Sequence, residues 1–191
     1  MQAARAAFAE RGHEGVNLKT DILDVAGVSI GSFYHQFADK TELLITLLDE
    51  AIDEWREDVV GDAAVVRGAT LEDALRAAFT RFFAGLEDGE DLWRINLRER
   101  ASNDPRVRER VLRRRNAWRR DLTTLFAARP NSPEGFAERA AEMVLAMSIG
   151  LATTYLDRPR RQRTAAARRE LVEEATTFAA GGLRRILADL A

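Results

Sequence analysis

Two serines three residues apart, Ser29 and Ser32, flank an isoleucine at 30, and a tyrosine and a histidine follow at 34 and 35. On a helix, that spacing gathers hydroxyl, apolar and phenolic groups near one helix start, where side chains can reach base edges in a DNA major groove. Ser29, Ile30 and Ser32 suit base contact: two hydroxyls that donate or accept, and a branched apolar chain that fits against a thymine methyl. Tyr34 and His35 can donate to phosphate oxygens, which positions a protein without reading sequence. Lys40, at the start of another predicted helix, and Asn17 and Lys19, which flank the preceding one, suit the same role.

A helix, a tight turn and a second helix must hold those groups. Leu18, Ile22 and Val25 recur at helical spacing and predict the first helix of the pair, packed by that stripe. Gly27 supplies the permissive backbone of the turn, and Ser29 is an N-cap whose hydroxyl can accept from a free amide of the next helix. Together these are the parts of a helix-turn-helix.

The order Phe8-x-x-x-Gly12, Ile22, Ala26-Gly27-Val28-Ser29, Gly31-Ser32-Phe33-Tyr34-His35-x-Phe37 and Lys40 resembles the DNA-binding domain of the TetR family of repressors. The motif covers roughly the first quarter of the chain; beyond it only length and helical layout agree. Ile30 stands where similar proteins commonly carry a lysine, and one more residue than usual separates Gly12 from Gly27. The resemblance implies a ligand-responsive regulator, read as a repressor, with a ligand cavity and a homodimer in the remainder.

The 191 residues carry a net charge of −2, so bulk charge does not drive nucleic-acid binding. Within residues 1–45, the basic Arg5, Arg11, Lys19 and Lys40 face Glu10, Glu14, Asp21, Asp24, Asp39 and Glu42, an acidic balance for a DNA-binding domain. Cysteine is absent, which excludes disulfides and cysteine metal sites and fits a reducing compartment. No apolar run approaches a membrane span and no signal segment opens the chain, so a soluble, cytoplasmic protein is expected. No glycine-rich phosphate loop, metal-ligand spacing or cysteine nucleophile is present, so no enzyme, cofactor or metal is expected.

Periodicity predicts an all-α fold of about nine helices. Residues 1–45 form a three-helix DNA-binding domain, and 46–191 a larger helical domain for ligand binding and dimerisation. A helix capped by Asp39 connects them, with a stripe from Leu43 to Trp55. A loop is expected over 61–68, a helix ended by Gly85 and Gly89, a helix over 92–102, and one opening at Pro105. Ser132 and Pro133 read as the start of the next helix, and 158–169 as an arginine-rich loop before the last.

Trp55, Phe79, Phe82, Phe83, Trp93 and Trp118 can converge from different helices, with Met143 and Met147 as adaptable lining. Such stripes are more often ordinary core, and the resemblance supplies the cavity. In the stripe Val107, Val111, Trp118, Leu122, Leu125 the missing step falls at Arg114 or Arg115, while Asn96 and Arg100 lie beside Trp93 and Leu97. Asn96, Arg100 and Arg115 are the chosen polar groups, since an inward arginine or amide needs a partner that an acidic or carbonyl-bearing apolar effector could provide. Eleven arginines between 93 and 120 face three carboxylates, which reads mainly as a solvated face laced with ion pairs.

The last two helices carry broad apolar stripes with small residues that permit close approach. Met147, Gly150, Leu151, Ala175, Phe178, Ala179, Gly182, Leu183 and Ile186 are the expected homodimer interface. The partners are therefore a palindromic double-stranded DNA operator, a small-molecule effector and a second copy, with no membrane. The alternative is a helical small-molecule-binding or interaction protein with weak or lost DNA binding, motivated by the acidic N-terminal domain.

Overall fold

The computed structural model describes residues 1–60, 70–127 and 133–189, the side chains of 51–60 and 189 excepted. Nine α-helices and no strand occur among the described residues: α1 (Gln2–Gly15), α2 (Asp24–Ala26), α3 (Ile30–Gln36), α4 (Lys40–Val60), α5 (Leu71–Asp88), α6 (Glu90–Glu99), α7 (Pro105–Ala127), α8 (Phe136–Asp157) and α9 (Ala165–Asp189). A π-helical stretch, Leu18–Leu23, runs directly into α2, and a 3₁₀ turn, Arg160–Gln162, precedes α9. No helix among the described residues is long and apolar enough to cross a membrane.

Packing groups the chain into two compact units, Met1–Trp55 with Gly89–Arg115, and Arg56–Asp88 with Asn116–Ala191. The division into residues 1–45 and 46–191 is one of role, which packing does not test.

In the first unit, Phe8, Ile22, Leu23, Phe33, Leu44, Leu47, Ile95 and Val107 share one core. The N-terminal helices thus pack on α6 and on the start of α7, elements distant in sequence. Gly12 breaks α1 with φ +71°, and a Cβ there would lie 2.7 Å from Arg98 Cδ. The chain needs glycine at this point for both backbone and space. The break frees the amide of His13, which donates to buried Glu99 Oε1 at 2.7 Å. Thr41, itself buried, donates to Asp104 Oδ2 at 3.1 Å and lies 2.9 Å from His13 Nε2. A hydroxyl has one hydrogen, so Nε2 is the donor to Thr41 and His13 carries its proton there. This chain of bonds joins α1, α4, α6 and the loop before α7.

In the second unit, α5 packs on α9 and both contact α8. Phe79, Phe83, Leu86, Phe126, Phe136 and Tyr155 are fully buried. Ion pairs from Arg76 to Glu173 and from Arg184 to Glu72 tie α5 to α9 across exposed edges.

Several expected boundaries move. Val25, expected to pack, is 68 % exposed, and Leu23 is buried beside Ile22 in its place. The π stretch, whose last bond runs from Asp24 N to Lys19 O, turns more residues per hydrogen bond and rotates Val25 out of the stripe. The helix expected over 92–102 begins earlier and ends at Glu99, with Glu90 and Asp91 favourably placed in its positive first turn. Gly85 lies inside α5, and Gly89 alone separates α5 from α6. Helix α8 starts at Phe136 behind Gly135, which has φ +70°, rather than at Pro133. The arginine-rich segment is partly helical, because Thr164 Oγ1 accepts from Ala167 N at 3.1 Å and starts α9 there. Trp55's side chain, the loop over 61–68 and Ser132 lie outside the described residues.

Candidate nucleic-acid interface and ligand region

Helix α3 is held from below and bare above. Phe33, 4 % exposed, anchors it, with its ring 5.5 Å from that of Phe37 and 5.2 Å from that of Tyr34. Gly27 adopts φ +65° and Val28 N donates to Leu23 O at 3.0 Å, the six-to-one bond of a Schellman ending. Ser29 is the N-cap: its Oγ accepts from Ser32 N at 3.1 Å and lies 2.9 Å from Ser32 Oγ. That leaves Ile30 and Tyr34 50 % and 58 % exposed, with Ser29, Ser32 and His35 also exposed. A short helix that presents isoleucine and tyrosine to solvent spends apolar exposure that folding alone does not require.

The flanking groups are placed as follows. Asn17 caps the π stretch, its side-chain oxygen accepting from Lys19 N at 3.0 Å and Thr20 N at 3.2 Å. Lys19 pairs with Asp24 at 3.3 Å while remaining largely exposed. Lys40 is half-buried and donates to Val16 O at 2.7 Å. Arg11 pairs with Asp21 at 2.7 Å and Arg5 with Glu50 at 3.6 Å, so each cation of residues 1–45 has an internal acceptor. Asp21 is held below the usual carboxylate value, first by the amide of Asn17 and then by Arg11.

Among the expected ligand residues, the second unit brings Phe82, Phe83 and Trp118 together. The Phe82 ring stacks on Trp118 at 4.9 Å and meets Phe83 edge-on at 5.1 Å. Phe83 in turn meets Tyr155 at 5.7 Å. Phe79 is buried in the same unit. The Tyr155 hydroxyl donates to Glu87, which also receives Arg168, and burial followed by that carboxylate pushes the phenol up to about 12. Sequence reading placed Tyr155 in a packing stripe and missed this polar end, because Glu87 and Arg168 lie far from it along the chain.

The first unit holds Trp93, Asn96, Arg100 and Arg115. Trp93 is buried and Asn96 half-buried, while Arg100 is exposed. Arg115 is half-buried and partnered; Arg114, its neighbour, is the inward arginine, 5.3 Å from the Trp93 ring centroid. The surrounding arginines are largely engaged: Arg94 with Glu90, Arg106 with Asp39 and Asp104, Arg110 with Asp49, and Arg113 with Glu109. No cluster of three His, Asp or Glu side chains able to hold a metal occurs among the described residues.

Met143, expected as ligand lining, and Met147, expected both there and in the interface, lie together on another surface of the second unit. With Phe178, Ala179, Gly182, Leu183 and Ile186 they line an open apolar groove of about 350 Å³ between α8 and α9. Phe178 is 77 % exposed at its edge and Met143 46 %. Gly150 and Gly182 have open space where a Cβ would stand, and Gly150 is exposed. Leu151 is half-buried, whereas Ala175 is already buried within the chain.

Residues 1–47 match the family described as bacterial regulatory proteins, tetR family. The fatty acid degradation regulator FadR from Bacillus halodurans is similar in fold, at 20 % identity and TM-score 0.73, over 96 % of this chain and 93 % of that one. A FadR from Bacillus subtilis, solved in complex with stearoyl-CoA, is similar at 19 % identity and TM-score 0.76, over 95 % and 96 % of the two chains. A TetR-family member from Streptomyces coelicolor A3 reaches 24 % identity and TM-score 0.69, over 95 % and 89 %. Residues 1–47 of this chain thus match the tetR family of bacterial regulatory proteins, and its all-α fold is shared along nearly the whole length with solved structures of such regulators.

Proposed function

We propose that the protein is a homodimeric repressor that docks α3 of each subunit in the major groove of a palindromic operator and is released by a small, largely apolar effector. The observation that carries this reading is the exposure of Ile30, Ser32 and Tyr34 on a helix anchored by Phe33 alone. In this reading Ser29, Ile30 and Ser32 read bases, while Asn17, Lys19, Tyr34, His35 and Lys40 hold phosphates. The aromatic cluster of Phe82, Phe83 and Trp118 supports an apolar effector, and the stearoyl-CoA complex of the similar Bacillus subtilis protein supports a long acyl chain with a polar end. The groove between α8 and α9 supports burial against a second copy. Release requires the effector to bind the DNA-incompetent state better than the competent one.

The alternative, a binding protein with lost DNA affinity, is favoured by the internal pairing of Arg5, Arg11, Lys19 and Lys40. The weakness of such pairing supports the DNA-binding reading instead: an exposed ion pair such as Lys19 with Asp24 is worth about 0–1 kcal/mol, so a phosphate can displace it at little cost. Footprinting on DNA flanking the coding region tests the proposal. A protected palindrome, lost on adding effector, supports it, and no protection in low salt contradicts it.

A further inference from the structure

Helix α7 turns Arg114 inward with no carboxylate beside it among the described residues. Arg114 lies 5.3 Å from the centroid of Trp93, and its Nη1 is buried with no hydrogen-bond partner among the described residues. Burial alone lowers its guanidinium, to about 10, whereas Arg106, Arg110 and Arg113 on the same helix all hold acidic partners. The indole meets the guanidinium through its π face, which leaves the N–H groups of Nη1 without an acceptor among the described residues.

Asn96 stands three residues after Trp93 on α6 and therefore shares its helix face. Its Nδ2 is also buried without an acceptor among the described residues. Two buried donors thus flank one indole, and neither meets an acceptor among the described residues. Buried polar groups are almost always bonded, and leaving a donor unmet costs the full desolvation of that group. The feature missing from this place is an oxygen acceptor. A planar carboxylate matches the fork of an arginine, and the amide of Asn96 supplies a further N–H.

We infer that Arg114, Asn96 and Trp93 form the recognition site for the carboxylate of an apolar carboxylic acid effector. This rests on the reading of the protein as effector-responsive, and adds to it the chemical class of the effector's polar end. Arg114 binds the two oxygens, Trp93 fixes the plane of the guanidinium, and Asn96 donates from the side.

The test compares decanoate with 1-decanol, of equal chain length, at pH 8 and below micelle formation, by calorimetry and tryptophan fluorescence. The wild type binds decanoate at least about tenfold more tightly than decanol, and Arg114→Met and Asn96→Leu each reduce that preference. Thermal melts accompany the variants: Arg114→Met keeps or raises the melting temperature, since it removes a buried charge that holds no carboxylate among the described residues. Equal affinity for acid and alcohol in the wild type overturns the inference while sparing the effector reading. Binding of neither probe by the folded protein overturns both. An undiminished acid preference in Arg114→Met, or a melting temperature lowered as by a core truncation, shows that Arg114 serves the fold and overturns the assignment.

Discussion

Gly12 and Gly27 both hold positive φ, but Gly27 at ψ 30° is left-handed helical while Gly12 at ψ 172° sits in a region nearly confined to glycine. Their surroundings differ too, and so do the expected costs of replacing them. A Cβ on Gly27 meets nothing within 4 Å, so Gly27→Ala carries only the backbone term, about 1–2 kcal/mol. A Cβ on Gly12 meets Arg98 Cδ at 2.7 Å and Glu99 Oε1 at 3.2 Å, so Gly12→Ala adds displacement of a buried carboxylate and costs about 1–3 kcal/mol more. Urea denaturation of the two variants measures the difference, and equal losses would show that neither the backbone of Gly12 nor the crowding by Arg98 and Glu99 adds a cost. Arg114 illustrates why this site was only partly legible in sequence. The stripe from Val111 to Trp118 skips six residues, and adjacent positions differ by about 100° on a helix, so periodicity left Arg114 and Arg115 open. Contact with Trp93 settles it in favour of Arg114.

At the scale of elements, the turn and α3 were written locally and therefore readable: Gly27, Ser29 and Phe33 perform there the roles their types dictate. The π stretch was readable only as one residue too many, since nothing in Leu18–Leu23 states which face the added residue rotates. The pairing of Glu99 with the amide of His13 spans 86 residues and has no local signature. Tyr34→Ala should weaken binding to operator and scrambled duplexes alike by about 1 kcal/mol, whereas Ser32→Ala should change base preference, because phosphate contacts are blind to sequence. Lys40→Ala is the less clean probe, for it also removes the bond to Val16 O, worth about 1 kcal/mol of stability. Fluorescence anisotropy on both duplexes, paired with melts, separates these effects.

The starts of α4 and α7 are clasped by Arg106, which bonds Asp39 at 3.0 Å and Asp104 at 3.2 Å. Asp39 is lowered first by the amide of Glu42 and then by Arg106; for Asp104, burial raises it and the bonds from Arg106 and Thr41 outweigh that. Both folded values lie below the ordinary 3.8, so the clasp contributes fully above that pH and is lost as pH falls through the depressed values. Melts at pH 6 and pH 3 should therefore differ less in Arg106→Ala than in the wild type, and an unchanged difference would remove the clasp from the stability account.

At the scale of the whole molecule, the most exposed large apolar side chain among the described residues is Phe178, at the mouth of the groove between α8 and α9. Fully burying a phenylalanine gains about 1.5–3 kcal/mol, and a twofold interface gains it twice. Phe178→Asp should leave the melting temperature of the subunit nearly unchanged, give monomers by light scattering and abolish operator binding. A dimeric Phe178→Asp would place the interface elsewhere. The central claim, that this acidic chain binds DNA through α3, is tested most directly by salt titration of its affinity for the footprinted palindrome and a scrambled duplex. The account predicts that affinity falls linearly on logarithmic axes, that the palindrome is preferred at every salt concentration, and that Tyr34→Ala loses affinity for both duplexes. Affinity that is weak at low salt, equal for both duplexes and indifferent to Tyr34→Ala would contradict it.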